Sequence, residues 1–457
     1  MTWFDRTAPR AGFESLATRR RQDGRRRRRP LAVAAGVVLT VVLSACGGAA
    51  SSTPTKKGPL VIADLAPFTG VDAALGGFYY ASCLAATHAI NAAGGVLGHQ
   101  LQCKTFDTRG DPADAVPAAN QMFATTPNLA LVIGCTSDEA ASVVPIINSH
   151  KMVMFCMTGQ SEFDHVHYPY FFRLVPPDLE ESYAMVAIAH YLKHYNRVAL
   201  AFGNDIGSQT FVQPAIQAIH HTGMQLVSNV TLDLTATTFR TEAETVVQSH
   251  PDVIFTEALG SADATFLSEV KQLNGGKMIP VIGTSALISP SWYQSVAAAV
   301  GATTLSKNFL ADNLVVEAAG PAFTPFKTAM DAIQSQVNYA GTFDTLLSGP
   351  GAVHLFDGMT LAALAMVQSK STNPAVYKAD IIKIGNGVPG AVLVHSFAQG
   401  LAELNKGKAI RYVGPGGPTN FDSYHDSPGI FQADTYSSTG QVVVVANITA
   451  SQLRAVS

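Results

Sequence analysis

The strongest constraint on this chain is a rhythm. Between Leu60 and Cys156, short apolar runs alternate with stretches of helical period. Leu60 to Leu65 reads as a buried strand, Gly77 to Asn91 as a helix halted by Gly94-Gly95, and Leu101 to Phe106 as a second strand. Asp111-Pro112, a capping residue followed by a first-turn proline, opens a helix that runs to Phe123. Leu129 to Ile133, Glu139 to Ser149 and Met152 to Cys156 continue as strand, helix and strand. Such alternation requires a parallel sheet with right-handed crossovers. The rhythm restarts after Pro176-Pro177, with helices over 179–194, 210–221, 241–249 and 262–273 and strands over 198–202, 225–231, 253–256 and 278–283. Val353 to Gln368 reads as a long apolar helix and Gln441 to Asn447 as a closing strand. Two α/β series in 457 residues imply two lobes. A hydrophobic share of 47% against 14% charged excludes a mostly disordered chain and suits sheets buried on both faces.

The N-terminus has a different character. Residues 1–45 carry ten arginines and three acidic residues, so a total of −3 leaves the remainder near −10. An acidic body argues against a nucleic-acid partner. Arg19–Arg21 and Arg25–Arg29 form a positive segment ahead of Leu31 to Leu43, an apolar stretch of 13 residues, too short to span a bilayer and right for a secretory signal. Leu43-Ser44-Ala45-Cys46-Gly47 then resembles a bacterial lipobox, which implies lipidation of Cys46. Residues 1–45 are thus expected to be a lipoprotein signal peptide and 46–58, rich in Gly, Ala, Ser and Thr, a flexible tether. The expected location is extracytoplasmic, on the outer face of the cell membrane. That compartment permits disulfides, and Cys83, Cys103, Cys135 and Cys156 suit two bridges with three connectivities open.

A series of motifs gives the pattern a family. Asn91-Ala92-Ala93-Gly94-Gly95-Val96-Leu97-Gly98 resembles a signature of the type I periplasmic binding proteins, the branched-chain amino-acid receptors of ABC importers. Leu65-x-Pro67-x-Thr69-Gly70, Asp107 with Asp111-Pro112, and Ile133-Gly134 with Thr136-Ser137 and Pro145 are similar to its first-lobe motifs. Phe172-Arg173 with Pro176 and Asp178, then Arg411-Tyr412-x-Gly414 with Gly417-Pro418 and Phe421-Asp422, resemble its lobe crossings. The matches run in order over nearly the whole chain. The resemblance implies two Rossmann-like, flavodoxin-like lobes with parallel sheets, joined by three crossings near 176, 310 and 415. Lobe one would comprise 59–176 and 311–414, and lobe two 177–310 and 415–457. A ligand would lie between the carboxyl ends of the sheets. Under that fold Cys135 pairs with Cys156 across neighbouring strands, and Cys83 with Cys103.

The resemblance also places a binding site. Thr136, Ser137 and Asp138 after the third strand, and Met157, Thr158 and Gly159 after the fourth, would hold the polar head of a ligand; hydroxyls and free N–H groups at a helix start suit a carboxylate. Leu75 falls where relatives place an aromatic wall. In lobe two, Asn204-Asp205-Ile206-Gly207 matches a loop in which Ile206 replaces an aromatic residue. Ser285 stands where amino-acid receptors often carry an acid for the ligand's ammonium group, and a serine supplies no charge. That puts an α-amino acid in doubt unless Glu257, at a strand end, compensates.

Other constellations carry less. Gly385 to Gly390 fits a G-x-G-x-x-G spacing but follows a helical stretch and contains Pro389, the wrong context for a dinucleotide. Neither a nucleophile elbow nor a Walker loop occurs. His190 with His194, and His165 with His167, lack a third ligand at standard spacing. Glu180-Glu181 reads as an exposed helix start. The expectation is therefore no catalytic residue, metal or cofactor, and a protein that captures a small polar or amphipathic molecule (amino acid-like, amide or organic acid) for an ABC permease. The alternative is a ligand-sensing subunit that presents its closed form to a membrane receptor.

Overall fold

The computed structural model describes residues 57–70, 72–339 and 343–457; the signal segment and Cys46 lie outside them. Lobe one is built on a five-stranded sheet of β1 (Leu60–Ala66), β2 (Leu101–Asp107), β3 (Leu129–Gly134), β4 (Met154–Cys156) and β5 (Phe171–Arg173). All its pairings are parallel, in the order β2-β1-β3-β4-β5. Alternate residues of each strand serve opposite faces. Ile62 and Ile133 pack with the helices Ala73–Ala92 and Pro350–Ser369, while Ala63, Leu65 and Val132 pack with Pro112–Thr125 and Ser137–Ser149. Covering both faces is what a parallel sheet requires.

Lobe two repeats the plan with β6 (Arg197–Gly203), β7 (Gln225–Leu232), β8 (Val253–Glu257), β9 (Val281–Gly283) and β10 (Phe309–Leu314), in the order β7-β6-β8-β9-β10. Between β10 and β13, β11 (Val392–Val394) and β12 (Ile410–Tyr412) form a small parallel pair whose Ile410 and Tyr412 enter the lobe-one core. The lobe-two sheet is then extended by β13 (Phe431–Tyr436) and β14 (Val442–Asn447), both antiparallel. The closing strand read from the sequence is thus the edge of a mixed sheet.

Local chemistry explains the element boundaries. The Asp111 carboxylate accepts from the N–H groups of Ala113 at 2.7 Å and Asp114 at 3.3 Å and caps the helix Pro112–Thr125. The first helix stops where Gly94 and Gly95 take φ of 110° and 78°; a Cβ on Gly95 would lie 2.1 Å from the His99 carbonyl oxygen. The helix Pro350–Ser369 is long and apolar enough to cross a membrane, but 83% of its apolar window is buried in the lobe-one core.

Two inferred lobe boundaries need correction. Residues 311–314 belong to β10, hydrogen-bonded within the lobe-two sheet, so the chain leaves that lobe after Leu314. Residues near 421 stay with lobe one, because Phe421 joins its core and the His425 carbonyl accepts from Arg173 N–H on β5. The crossings lie side by side: Val315 N–H donates to Ile430 O at 2.9 Å and Glu317 N–H to Pro415 O at 2.9 Å.

The structure contains the bridges Cys83–Cys103 and Cys135–Cys156, closing spans of 20 and 21 residues. Cross-links over loops of that length restrict the unfolded chain by about 3 kcal/mol each. Replacing Cys135 and Cys156 together with serine is expected to lower unfolding stability by about that amount in urea titration. An unchanged midpoint would show that this bridge adds no stability.

Candidate functional site

Each five-strand order reverses direction once, between β1 and β3 in lobe one and between β6 and β8 in lobe two. At such a switch point, neighbouring loops diverge and leave a crevice beyond the carboxyl ends of the strands. The two crevices face one another across a half-open cavity of about 110 Å³. Lobe one contributes Asp72 and Leu75 from the first helix start, Thr136 to Asp138 after β3, and Met157 and Gly159 after β4. Lobe two contributes Asp178 and Glu181, then Asp205 after β6, Glu257 at the end of β8 and Ser285 after β9.

The polar groups are held by one another. Thr136 donates its hydroxyl to Glu139 Oε2 at 2.5 Å and its N–H to Glu139 Oε1 at 3.2 Å, while Thr108 adds a hydroxyl at 2.8 Å. Ser137 Oγ lies 3.1 Å from Thr158 Oγ1. Asp138 Oδ1 accepts from Gly207 N–H at 2.7 Å, a bond from lobe one to lobe two. Asp178 N–H donates back to the Gly159 carbonyl at 2.7 Å, an approach that needs glycine, since a Cβ there would lie 1.8 Å from Asp178 Oδ1. Asp178 Oδ2 accepts from the Thr210 hydroxyl at 2.5 Å. Glu181 Oε1 accepts from Ser285 N–H at 2.8 Å, and Glu257 accepts the hydroxyls of Thr284 and Ser208.

Burial sets the electrostatics. It pushes the Asp72 carboxyl up to about 10, helped by nearby Asp138, and Asp178 up to about 8. Burial also raises Glu181, Asp205 and Glu257. The guanidinium that offsets this rise at Asp178 is that of Arg173, fully buried and already engaged by Asp164 Oδ1 at 2.5 Å and the Thr158 carbonyl at 3.2 Å.

Of the residues singled out in the sequence, Leu75, Thr136, Ser137, Met157, Asp205, Glu257 and Ser285 line the cavity. Thr158 sits behind Ser137 with no exposed surface, and Ile206 points to solvent, 49% exposed, because the turn at Asp205 aims Gly207 rather than Ile206 inward. Glu180-Glu181 is not an exposed pair: Glu181 is buried at the cavity wall, and Glu180 accepts from Gly429 N–H at 3.1 Å. The acid missing from position 285 arrives from elsewhere, as Glu181 on the Ser285 amide and Glu257 on the Thr284 hydroxyl. Asp72, Asp178 and Glu181 were not assigned to the site from the sequence. Their signal was an acid at a helix start that follows a sheet strand.

This arrangement, two doubly wound lobes with a cavity at their paired switch points, defines a two-lobed binding protein. Residues 59–369 match the model of the periplasmic binding protein family, and the chain belongs to that family. It is a binding protein and not an enzyme. No curated protein sequence gives a significant match. Among solved structures, the branched-chain amino acid transporter substrate binding protein LivJ from Streptococcus pneumoniae, in complex with isoleucine, aligns with a TM-score of 0.69 at 16% identity, over 85% of this chain and 99% of that one. An ABC transporter solute binding protein from R. palustris, in complex with benzoate, gives 0.66 at 15% over 85% and 96%. A fatty acid ABC transporter substrate-binding protein from Thermomonospora curvata gives 0.66 at 16% over 87% and 94%. At such identities the likeness establishes the fold and leaves the ligand open.

The buried acids have a consequence for stability. Asp263 and Asp357, both buried, are raised to about 7, and Asp178 to about 8, from 3.8. A carboxyl with a higher folded than unfolded value binds more protons when folded, so stability falls as pH rises between the two values. The unliganded protein is therefore expected to unfold at a lower temperature at pH 8 than at pH 5, as measured by calorimetry. A midpoint that rises over this interval would show that these groups ionise freely in the fold.

Proposed function

We propose that the chain is an extracytoplasmic lipoprotein that captures a small polar or amphipathic solute in the interlobe cavity and delivers it to the permease of an ABC importer. The observation that carries this reading is the cavity itself, set between both switch points and bridged by the Asp138–Gly207 bond. Structural neighbours named as ABC transporter binding proteins, one holding isoleucine and another benzoate, support it. Leu75, Thr136, Ser137, Met157, Asp205, Glu257 and Ser285 are the proposed contacts among the residues read from the sequence. Thr158 then acts through Ser137, and Ile206 lies outside the contact set. The anchor would be a lipid on Cys46.

Thermal unfolding against a panel of amino acids, amides, aromatic acids, acyl acids and amines tests the reading. A true ligand at a hundred times its dissociation constant stabilises the protein by about 2.7 kcal/mol. Ser137→Trp, which fills the cavity, is expected to abolish the shift while the variant still unfolds cooperatively; a shift that survives the substitution places binding elsewhere. For the anchor, Cys46→Ser is expected to move the protein from the membrane fraction to the soluble one. Retention in the membrane would refute lipidation at that residue.

A further inference from the structure

We infer that the solute held in this cavity is a small organic amine, positively charged at neutral pH and carrying no carboxylate. The inference rests on the reading of the cavity as a solute site. Every charged side chain that lines it is acidic: Asp72, Asp138, Asp178, Glu181, Asp205 and Glu257. Among the described residues, no lysine, arginine or histidine reaches the lining. Asp72 is the independent sign of an absent partner. It is 2% exposed and faces the cavity, no N–H or hydroxyl of the described residues donates to either of its carboxylate oxygens, and the side chain that shares a hydrogen bond with it is another acid, Asp138. The Oδ2 atom of Asp205 is unpartnered as well. Buried carboxylates are ordinarily paired or neutralised, and the protein supplies no cation here.

Several groups that could greet an anion are already committed. Thr136 gives both its hydroxyl and its N–H to Glu139. The N–H groups of Gly207, Ser208 and Ser285 go to Asp138, Asp205 and Glu181. Arg173 is turned away into Asp164 and backbone carbonyls. A ligand carboxylate would therefore find no free donor among these groups and would lie among acids whose ionisation its charge opposes. Leu75, Phe78, Met157, Phe211 and Ile288 supply apolar wall for the body of the amine. At a share of about 30 Å³ each, the volume of about 110 Å³ holds roughly four water-sized groups, which fits a short alkyl amine more closely than a bulky one.

Proton release gives a second readout. Asp178 faces Glu181 on its own helix, the Thr210 hydroxyl, and the Arg173–Asp164 pair; Asp72 faces Asp138, Asp205, Glu139 and Tyr79. Burial keeps both aspartates protonated at neutral pH, so an incoming cation displaces protons. Amine affinity then rises with pH, by roughly tenfold per pH unit for each proton released.

The test is calorimetric titration of the full-length protein, as isolated from cells, with putrescine, 2-phenylethylamine, isoleucine, benzoate and calcium chloride at pH 6 and pH 8. The expected result is saturable binding of at least one amine. It should be tighter at pH 8 and weakened tenfold or more in Asp72→Asn and in Glu181→Gln, with the unliganded variants unfolding no earlier than the parent. Binding of isoleucine or benzoate with no amine binding overturns the inference and leaves the solute-binding reading in place. Binding of calcium alone overturns it in favour of a metal site. Binding of nothing overturns both.

Discussion

A parallel strand delivers its carboxyl end to loops and helix starts whose backbone N–H groups find no partner inside the sheet. In this protein two sheets of the same strand order turn those edges toward each other, which gathers the unpaired amides of both lobes around one space. Protein carboxylates satisfy them: Glu139 takes Thr136, Asp138 takes Gly207, Asp205 takes Ser208 and Glu181 takes Ser285. In each case a backbone dipole meets a side chain of opposite charge, the strong class of hydrogen bond. The cavity inherits its acidity from this solution. Once the amides are satisfied from within, the oxygens that remain are what a ligand meets.

The same choice shapes the energetics of the empty protein. Carboxylates removed from water without a cation hold protons instead, because neutralising the group costs less than burying its charge. Glu257 and Asp312 lie deep in lobe two, both with values pushed well above the usual carboxylate range. Arg173 shows the contrasting arrangement. Its guanidinium is wholly buried but meets Asp164, Asp426 and three carbonyls, so it fastens β5 to the loop after β4 and to the returning segment near 426. Lobe one is thus held near the crossing by a compensated ion pair, while the cavity a few residues away is left uncompensated. Strain or unsatisfied polarity of that kind persists where the rest of the fold over-determines it, and it concentrates where ligands bind.

Much of the fold was legible because hydrophobic period alone distinguishes strand from helix over long runs. The β1-to-β4 alternation and the helix Pro350–Ser369 are where the pattern placed them. Three short elements were not: β11, β12 and β5, each of three residues, carried a weaker pattern than the apolar run from Met152 to Cys156 that contains the equally short β4. The boundary at 310 failed for a related reason. Phe309–Leu314 reads as one more short buried run, and only its pairing with β9 and β13 assigns it to lobe two. Within the site, the loops were placed by their motifs and the side-chain directions were not. Ile206 and Gly207 are neighbours in sequence, yet the Asp205 cap turns one to solvent and the other to Asp138. Glu181 looked like a solvated helix-start acid because nothing local shows that Ser285, 104 residues away, will bring its amide to it.

Placement of the acids on both sides of the cleft links selectivity to motion. Asp72 and Asp138 belong to lobe one; Asp178, Glu181, Asp205 and Glu257 belong to lobe two. In the empty cleft the acids of the two lobes lie together, and the Asp138–Gly207 bond joins the lobes with a charge-assisted contribution of about 1.5–3 kcal/mol. A ligand can shift the balance between open and closed forms only by binding one better than the other, and a near-complete switch needs about 5.5 kcal/mol of such difference. A cation held between acids of both lobes supplies it directly, because its attraction to the second lobe exists only when the cleft is closed. A neutral or anionic solute would have to find the same difference in apolar contact alone. In the proposed amine complex, the carboxylates that choose the ligand are therefore also the groups through which its binding would be converted into closure.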